Sequence, residues 1–265
     1  MSFDFHASSS LKFEHQYLNA QKYVIPFIES GGCAVTLHTS VLEIGCGEGG
    51  VLKAFTDRGA KCLGVDLSEY RVKAGEKMMS EEIKKGLISF LAKNVYDADF
   101  LEKYKNSFDL IVLKDAIEHI PEQEKFIPYL QNFLKPEGHI FFGFPPWHMP
   151  YGGHQQVCKS KIAAKLPYYH LLPMPLFTRF LRLLGETDLT IQNLVEVKET
   201  GISTWRFENI VKNSSFSIAK RTLYLINPIY EYKFGLKPRK QLTFVGYLPG
   251  LRDFVSMCGY YLIKQ

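Results

Sequence analysis

The sequence predicts an α/β protein, doubly wound around a parallel sheet, and two observations carry that prediction. Short, continuous apolar runs alternate with segments of helical periodicity, and a glycine-rich turn joins the first run to the helix after it. Strands that read as unbroken apolar runs are buried on both faces, which is how parallel sheets covered by helices are built. Right-handed crossovers then leave few topologies. A chain of 265 residues, 46% hydrophobic and 22% charged, buries ample core without disulfides and is not compositionally disordered.

Taken in order, residues 13–30 set Phe13, Tyr17, Tyr23, Val24, Phe27 and Ile28 at helical spacing, and Gly31-Gly32 stops them. Residues 40–44 read as a buried strand, 45–50 as a tight turn and 51–58 as a helix. Residues 61–66 form a second strand closing on an acid, and Ser68 caps a helix running to about residue 85. Strands follow at 87–92, 108–113 and 138–144, with a helix over 121–134. The alternation breaks at Pro145-Pro146. Residues 145–200, rich in Pro, His and Tyr, do not read as another βα unit. A helix over 203–213, a strand over 216–226, an irregular stretch over 227–253 and a closing strand over 255–263 complete the chain. The expected organisation is one domain over 1–265: an N-terminal helical segment (1–37), a cofactor-binding core (38–145), a lid or acceptor insertion (145–200) and the C-terminal part of the sheet (201–265). Insertions of that length late in a sheet are usually functional loops.

Composition excludes several classes. The five cysteines are scattered with no C-x-x-C pair, which reads as reduced thiols in a cytoplasmic setting. The first residues lack the basic start and apolar run of a secretion leader. No apolar run reaches the length of a membrane span. A net charge of +5 is mild, and Lys237-Pro238-Arg239-Lys240 reads as a solvated basic turn, so no nucleic-acid partner is expected.

Ligands of open parallel sheets sit beyond the carboxyl ends of the strands, at the switch point. A Cβ in the first turn would hold a nucleotide off the backbone, and Gly45, Gly47 and Gly49 remove it. The helix after the turn aims its N-terminus at the site. Asp66 closes the second strand roughly 20 residues on, where a carboxylate accepts from both ribose hydroxyls. Gly45-x-Gly47-x-x-Gly50 also fits the dinucleotide fingerprint, so a nicotinamide-dependent oxidoreductase competes. Glu43 weighs against it, because a carboxylate repels a pyrophosphate and suits an ammonium.

Val41-Leu42-Glu43-Ile44-Gly45-Cys46-Gly47-Glu48-Gly49 resembles motif I of class I S-adenosylmethionine-dependent methyltransferases, of the small-molecule "type 11" group. Gly64-Val65-Asp66-Leu67-Ser68 resembles their second motif. The segment from Phe108-Asp109-Leu110 to Glu118-His119-Ile120 resembles the fourth-strand motif, and Leu134-Lys135-Pro136-Glu137-Gly138-His139-Ile140 the entry to strand five. The four motifs stand in order over roughly 38–145.

The resemblance implies a Rossmann-like, seven-stranded sandwich with a reversed last strand and a lid insertion after strand five. It implies methyl transfer from S-adenosylmethionine, leaving S-adenosylhomocysteine. Glu43, Gly45, Cys46 and Gly47 would line the methionine and ribose side, Asp66 would hold the ribose, and Leu67 would lie under the adenine. Asn94-Val95 stand where the family often meets the adenine amino group with an acid; an Asn carbonyl also accepts that bond. Lys114 and Asp115 would pass beside the methionine portion, Lys114 mainly through its backbone. Tyr17, with Gln16 and Gln21, would close over the cofactor from the N-terminal helix, with helix packing the competing reading. Glu118 and His119 read as packing and capping residues.

The acceptor side falls to the insertion. A hydroxyl acceptor needs a base, and histidine is tuned for that near neutrality. His154 is the first candidate base and His148 the second, against loop histidines that merely cap or pack. No metal site is expected, because His148, His154 and Cys158 lack a fourth partner at zinc spacing. Trp147, Tyr151, Tyr168 and Tyr169 read as aromatic walls for a planar acceptor or as the insertion's own core, and residues 166–184 as an amphipathic lid rather than a lipid contact. The expected function is methylation of a small-molecule acceptor, O-methylation ahead of N-methylation. The alternatives are the oxidoreductase, a non-catalytic cofactor-binding protein and, on the basic turn alone, an RNA methyltransferase. No oligomeric state is legible.

Overall fold

A computed structural model describes residues 9–265 of the chain; the expectations on a secretion leader and on the start of the 1–37 segment lie outside the described residues. One sheet holds β1 (Ser40–Ile44), β2 (Lys61–Asp66), β3 (Ile88–Ala92), β4 (Phe108–Lys114), β5 (Leu134–Phe144), β6 (Ser217–Ile226), β7 (Arg239–Lys240) and β8 (Cys258–Lys264). Their order is β3-β2-β1-β4-β5-β8-β6-β7. The first five are parallel, and β8 runs antiparallel to both β5 and β6. This is the doubly wound α/β, Rossmann-like sandwich, reversed last strand included. The seven long strands are the seven expected; β7 adds a two-residue pairing at the edge.

Strand alternation sorts the core onto two faces. Leu42, Ile44, Ile111, Leu113, Phe142 and Phe144 meet α7 (Gln123–Tyr129) and α11 (Thr204–Lys212) through Phe126 and Phe207. Val41, Leu110, Val112, Phe141 and Tyr260 face the other way, toward Ile25, Phe27, Leu52 and Phe55. Those belong to α2 (Ile25–Glu29), which follows α1 (Ser9–Asn19) through a π-helical turn at Ala20–Val24, and to α3 (Gly50–Thr56). Some boundaries differ from the sequence reading. The helix after β2 breaks at the fully buried Met79 into α4 (Glu69–Met78) and α5 (Ser80–Lys84). After β3, α6 (Ala98–Tyr104) precedes β4. β5 begins at Leu134 rather than 138, with an irregular register where Phe108 pairs Leu134 but Leu110 pairs His139. Pro136, Glu137 (φ +62°) and Gly138 occupy that bulge.

Residues 145–200 are more helical than they read. They hold α8 (Lys161–Lys165), α9 (Met174–Leu183) and α10 (Asp188–Thr200) around a small core of Cys158, Ala163, Tyr169, Phe177, Leu181, Ile191 and Leu194. Tyr169 lies inside that core. Trp147 packs edge-on to His170, whose Nε2 lies 2.9 Å from the Trp147 carbonyl. The tail of α10 is pinned to the turn after β4 and to α7: Gln123 Nε2 donates to the carbonyls of Ile117 (2.9 Å) and Thr200 (2.6 Å), and Thr200 Oγ1 donates to that of Glu118 (2.6 Å). The stretch after β6 holds α12 (Tyr230–Phe234), then α13 (Thr243–Gly246) and α14 (Pro249–Arg252) beyond β7.

Candidate active site

The turn after β1 is held by its backbone. Gly45, Gly47 and Gly49 all have positive φ, +75°, +53° and +83°, a region closed to most L side chains. Gly45 and Cys46 donate their N–H groups to the Val65 carbonyl at 2.8 and 3.1 Å, locking the turn to β2. A Cβ at Gly49 would meet Phe90 at 2.6 Å, so that glycine serves packing. A Cβ at Gly47 would meet nothing within 4 Å, so that glycine leaves open space in the cleft. Asp66 spans the same turn: its Oδ2 accepts from Gly47 N (2.9 Å) and its Oδ1 from Ser68 N (2.8 Å).

A cleft of about 190 Å³ opens over this turn. Of the residues singled out in the sequence, Glu43, Gly45, Cys46, Gly47, Lys114 and Asp115 line it. Glu43 is only 2% exposed, its Oε2 has no hydrogen-bond partner, and burial pushes its carboxyl well above the ordinary range. Burial likewise raises the Cys46 thiol. Lys114 Nζ lies 2.6 Å from Asp115 Oδ2. Burial works against both charges, but each holds the other ionised, Lys114 above and Asp115 below its ordinary value. Asp115 also carries a left-handed backbone (φ +53°), with its N–H on the Gly143 carbonyl at 2.7 Å. A non-glycine residue held so is strained, and such strain gathers at functional sites.

The remaining residues stand elsewhere. Leu67 is 76% exposed beside Asp66. Asn94 Oδ1 accepts from Tyr96 N (3.0 Å), and the Val95 side chain turns into the core while its carbonyl accepts from Tyr129 Oη (3.0 Å). Tyr17 lies over α3, with Lys53 Nζ 5.5 Å from its ring. The same helix presents the expected Gln16 to the cleft, together with Lys12, Phe13 and His15, with Glu48 and Arg71 on the turn side and Ile229 and Lys233 on the far wall. Pattern reading missed most of these because α1 and α12 reach the turn only through tertiary packing. For Lys12 the helical spacing it shares with Phe13 and Gln16 was the one available signal.

The two histidines part company. His148 Nδ1 lies 3.5 Å from Asp253 Oδ2 and its ring stacks on Phe254 at 5.3 Å, away from the cleft residues. His154, in a left-handed conformation (φ +55°), faces His119 with ring centroids 4.9 Å apart. Burial and the neighbouring His119 lower His154 to about 4, against the pull of Asp115. Glu118, His119 and His154 have donor atoms within 4.8 Å of one another. Glu118 is 3% exposed with both carboxylate oxygens unpartnered. Burial, then repulsion from Asp115, pushes it up to about 8. Sequence spacing did not announce this grouping, since it joins the end of β4 to the insertion. Tyr230 is raised to about 12 by burial and then by the fields of Cys258, Asp115 and Tyr151.

The chain is similar to known methyltransferases in sequence and in fold. Residues 42–142 match the family described as "Methyltransferase domain". A "Ubiquinone biosynthesis O-methyltransferase" of Acinetobacter baumannii (strain AYE) is 26% identical over 102 residues, 38% of this chain and 42% of that protein. Its counterpart in Idiomarina loihiensis is 30% identical over 102 residues, 38% of this chain and 40% of that protein. The matches thus span about two fifths of these curated relatives. Among solved structures, geranyl diphosphate C-methyltransferase from Streptomyces coelicolor A3(2), in complex with Mg2+, geranyl diphosphate and S-adenosyl-L-homocysteine, shares the fold. Its TM-score is 0.57 at 13% identity, over 91% of this chain and 79% of that one. A SAM-dependent methyltransferase from Aquifex aeolicus superposes with a TM-score of 0.53 at 12% identity, over 97% and 98% of the two chains. Residues 42–142 match a methyltransferase domain, and the chain as a whole shares the fold of S-adenosylmethionine-dependent methyltransferases.

Proposed function

We propose that the protein methylates a hydroxyl of a small-molecule acceptor, using S-adenosylmethionine. The observation that carries the reading is the cleft itself: an orphaned, buried carboxylate at Glu43 and an open, Cβ-free turn at Gly47, with a neutral imidazole beyond Asp115. When bound, S-adenosylmethionine supplies an electrophilic methyl group on a sulfonium. Glu43 suits its α-amino group, because a desolvated carboxylate gains most from a cationic partner. Asp66 suits the ribose hydroxyls; its two oxygens already sit in a fixed orientation against backbone N–H groups. His154 is neutral at physiological pH and so accepts a proton from an acceptor hydroxyl. Lys114 and Asp115 fix the charge balance of the cleft between them.

Asp115 lines the cleft and its field reaches both His154 and Tyr230, which supports an acceptor side there, with the insertion over 145–200 as its lid. The curated relatives' O-methyltransferase names point the same way. The test is mass spectrometry of an extract of small molecules incubated with the full chain and S-adenosylmethionine. A product one CH₂ unit heavier, lost in His154→Ala and kept in His148→Ala, is the expected result. Turnover unchanged in His154→Ala ends the assignment of the base. Heat-stabilisation by NAD rather than by S-adenosylhomocysteine ends the whole reading.

A further inference from the structure

We infer that residues 236–251, between β6 and β8, form a lipid-facing surface that seats the protein on an anionic membrane. Leu242, Phe244 and Tyr247 are 60%, 66% and 72% exposed, and Leu236, Leu248 and Leu251 about half exposed. Single exposed apolar residues are ordinary. Six in one short segment form a patch of the kind that marks an interaction site. Local structure gives no other reason for them, since α13 and α14 are four residues each and Val245 alone among these apolar residues is buried.

Charge identifies the occupant. Lys237, Arg239 and Lys240 are exposed in the same segment, and no Asp or Glu occurs from residue 232 to 252. The acids at its ends are engaged elsewhere. Glu231 is taken by Lys22 (2.9 Å) and Tyr23, and Asp253 by the backbone N–H (3.0 Å) and hydroxyl of Thr204. Arg252 turns inward to Glu208 at 2.6 Å. The result is an apolar surface beside Arg239 and Lys240, with no acid in their segment and Lys237 alone sensing Glu231, which complements a lipid surface with anionic headgroups.

A second copy of the chain fits less well. β7, the edge strand, consists of Arg239 and Lys240, and two such edges repel each other. A span is excluded among the described residues, as no helix is long and apolar enough to cross a membrane. The first insertion extends the same surface: Tyr168 Oη donates to the Phe254 carbonyl (3.1 Å), three residues past Leu251. Ile229 and Lys233 line the cleft just before the segment, so the seat lies beside the cleft's far wall.

The test is cosedimentation of the full chain with vesicles of phosphatidylcholine alone or with added phosphatidylglycerol. Binding to the anionic vesicles only, weakening with salt, is expected. Phe244→Ser/Tyr247→Ser and Arg239→Glu/Lys240→Glu each lower the affinity on the order of tenfold. Both variants keep the circular dichroism, melting temperature and S-adenosylhomocysteine binding of the parent. Absence of binding to anionic vesicles overturns the inference, as does equal binding by the variants. A parent dimer in sedimentation velocity that Phe244→Ser dissociates, without vesicle binding, assigns the surface to a second copy instead.

Discussion

Glu43 carries a titration that reports directly on its partner. Burial keeps its carboxyl protonated to higher pH than an ordinary glutamate, while an ammonium ligand binds the ionised form. Ligand affinity must therefore rise with pH as the carboxyl ionises, until the ligand's own amino group deprotonates near pH ~8. We expect S-adenosylhomocysteine, measured by calorimetry, to bind more tightly as pH rises from about 6 toward 8. Glu43→Gln should bind roughly 30-fold or more weakly, about 2 kcal/mol, with that dependence gone. A pH slope that survives in Glu43→Gln would falsify the assignment.

His154 gives a second reading at the same scale. Lowered to about 4 by burial and by His119, it stays a free base well below neutrality. The acid limb of kcat should fall between about pH 4 and 5 rather than near 6.5, and His154→Ala should lower kcat by about 10²–10⁴. An acid limb at 6.5 in the parent would instead indicate a solvated histidine.

Two helices far apart in sequence close the cleft. α1 lies across the turn so tightly that a Cβ at Gly50 would collide with the Phe13 carbonyl oxygen and stand 3.0 Å from Gln16. α12 braces α1 and the turn after it from the other side: Tyr232 Oη donates to the Leu18 carbonyl of α1 at 3.3 Å, and Lys22 and Tyr23 of the π-helical turn meet Glu231. The cleft is accordingly small beside the roughly 300–1,000 Å³ of typical ligand pockets, so α1 must yield as ligand enters. Gly50→Val should displace α1, speed S-adenosylhomocysteine dissociation at least several-fold and lower stability by about 1–3 kcal/mol. Stopped-flow release and chemical denaturation measure both; release at the parent rate would show that α1 does not gate the cleft.

These elements also mark where the sequence stopped being legible. β1, its turn and β2 are local patterns whose chemistry is written in adjacent residues, and Glu43 and Gly47 were found that way, while Asp115 at the end of β4 came from the family resemblance. Gln16 of the roof came from the family resemblance, but Lys12, Ile229 and Lys233 are residue types that carry no message until packing brings them to the turn. The insertion hid its helices for a related reason. Pro and Gly punctuation masks the Phe177–Leu181 and Ile191–Leu194 spacings that build its core.

At the scale of the whole molecule, buried groups of the site and of the insertion set opposing pH limits on stability. His154 and His170 are both lowered to about 4, chiefly by burial. The folded state keeps them neutral while the unfolded chain takes protons below about 6.5, so their stability contribution is complete above 6.5 and lost as pH falls toward 4. Glu118 runs the other way. Raised to about 8 by burial and Asp115, its contribution is complete below the ordinary 4.5 and lost as pH rises through 8.

Removing the alkaline limit should be possible without touching the histidines. Glu118→Gln keeps the shape and stays neutral, so its melting temperature should match the parent near pH 5 and exceed it by several °C near pH 8.5. That magnitude follows from roughly 2–4 °C per kcal/mol for a chain of this size. Differential scanning calorimetry across that range decides it. An equal difference at both pH values would mean that Glu118 is held by packing rather than by its proton, and the grouping with His119 and His154 would lose its electrostatic meaning.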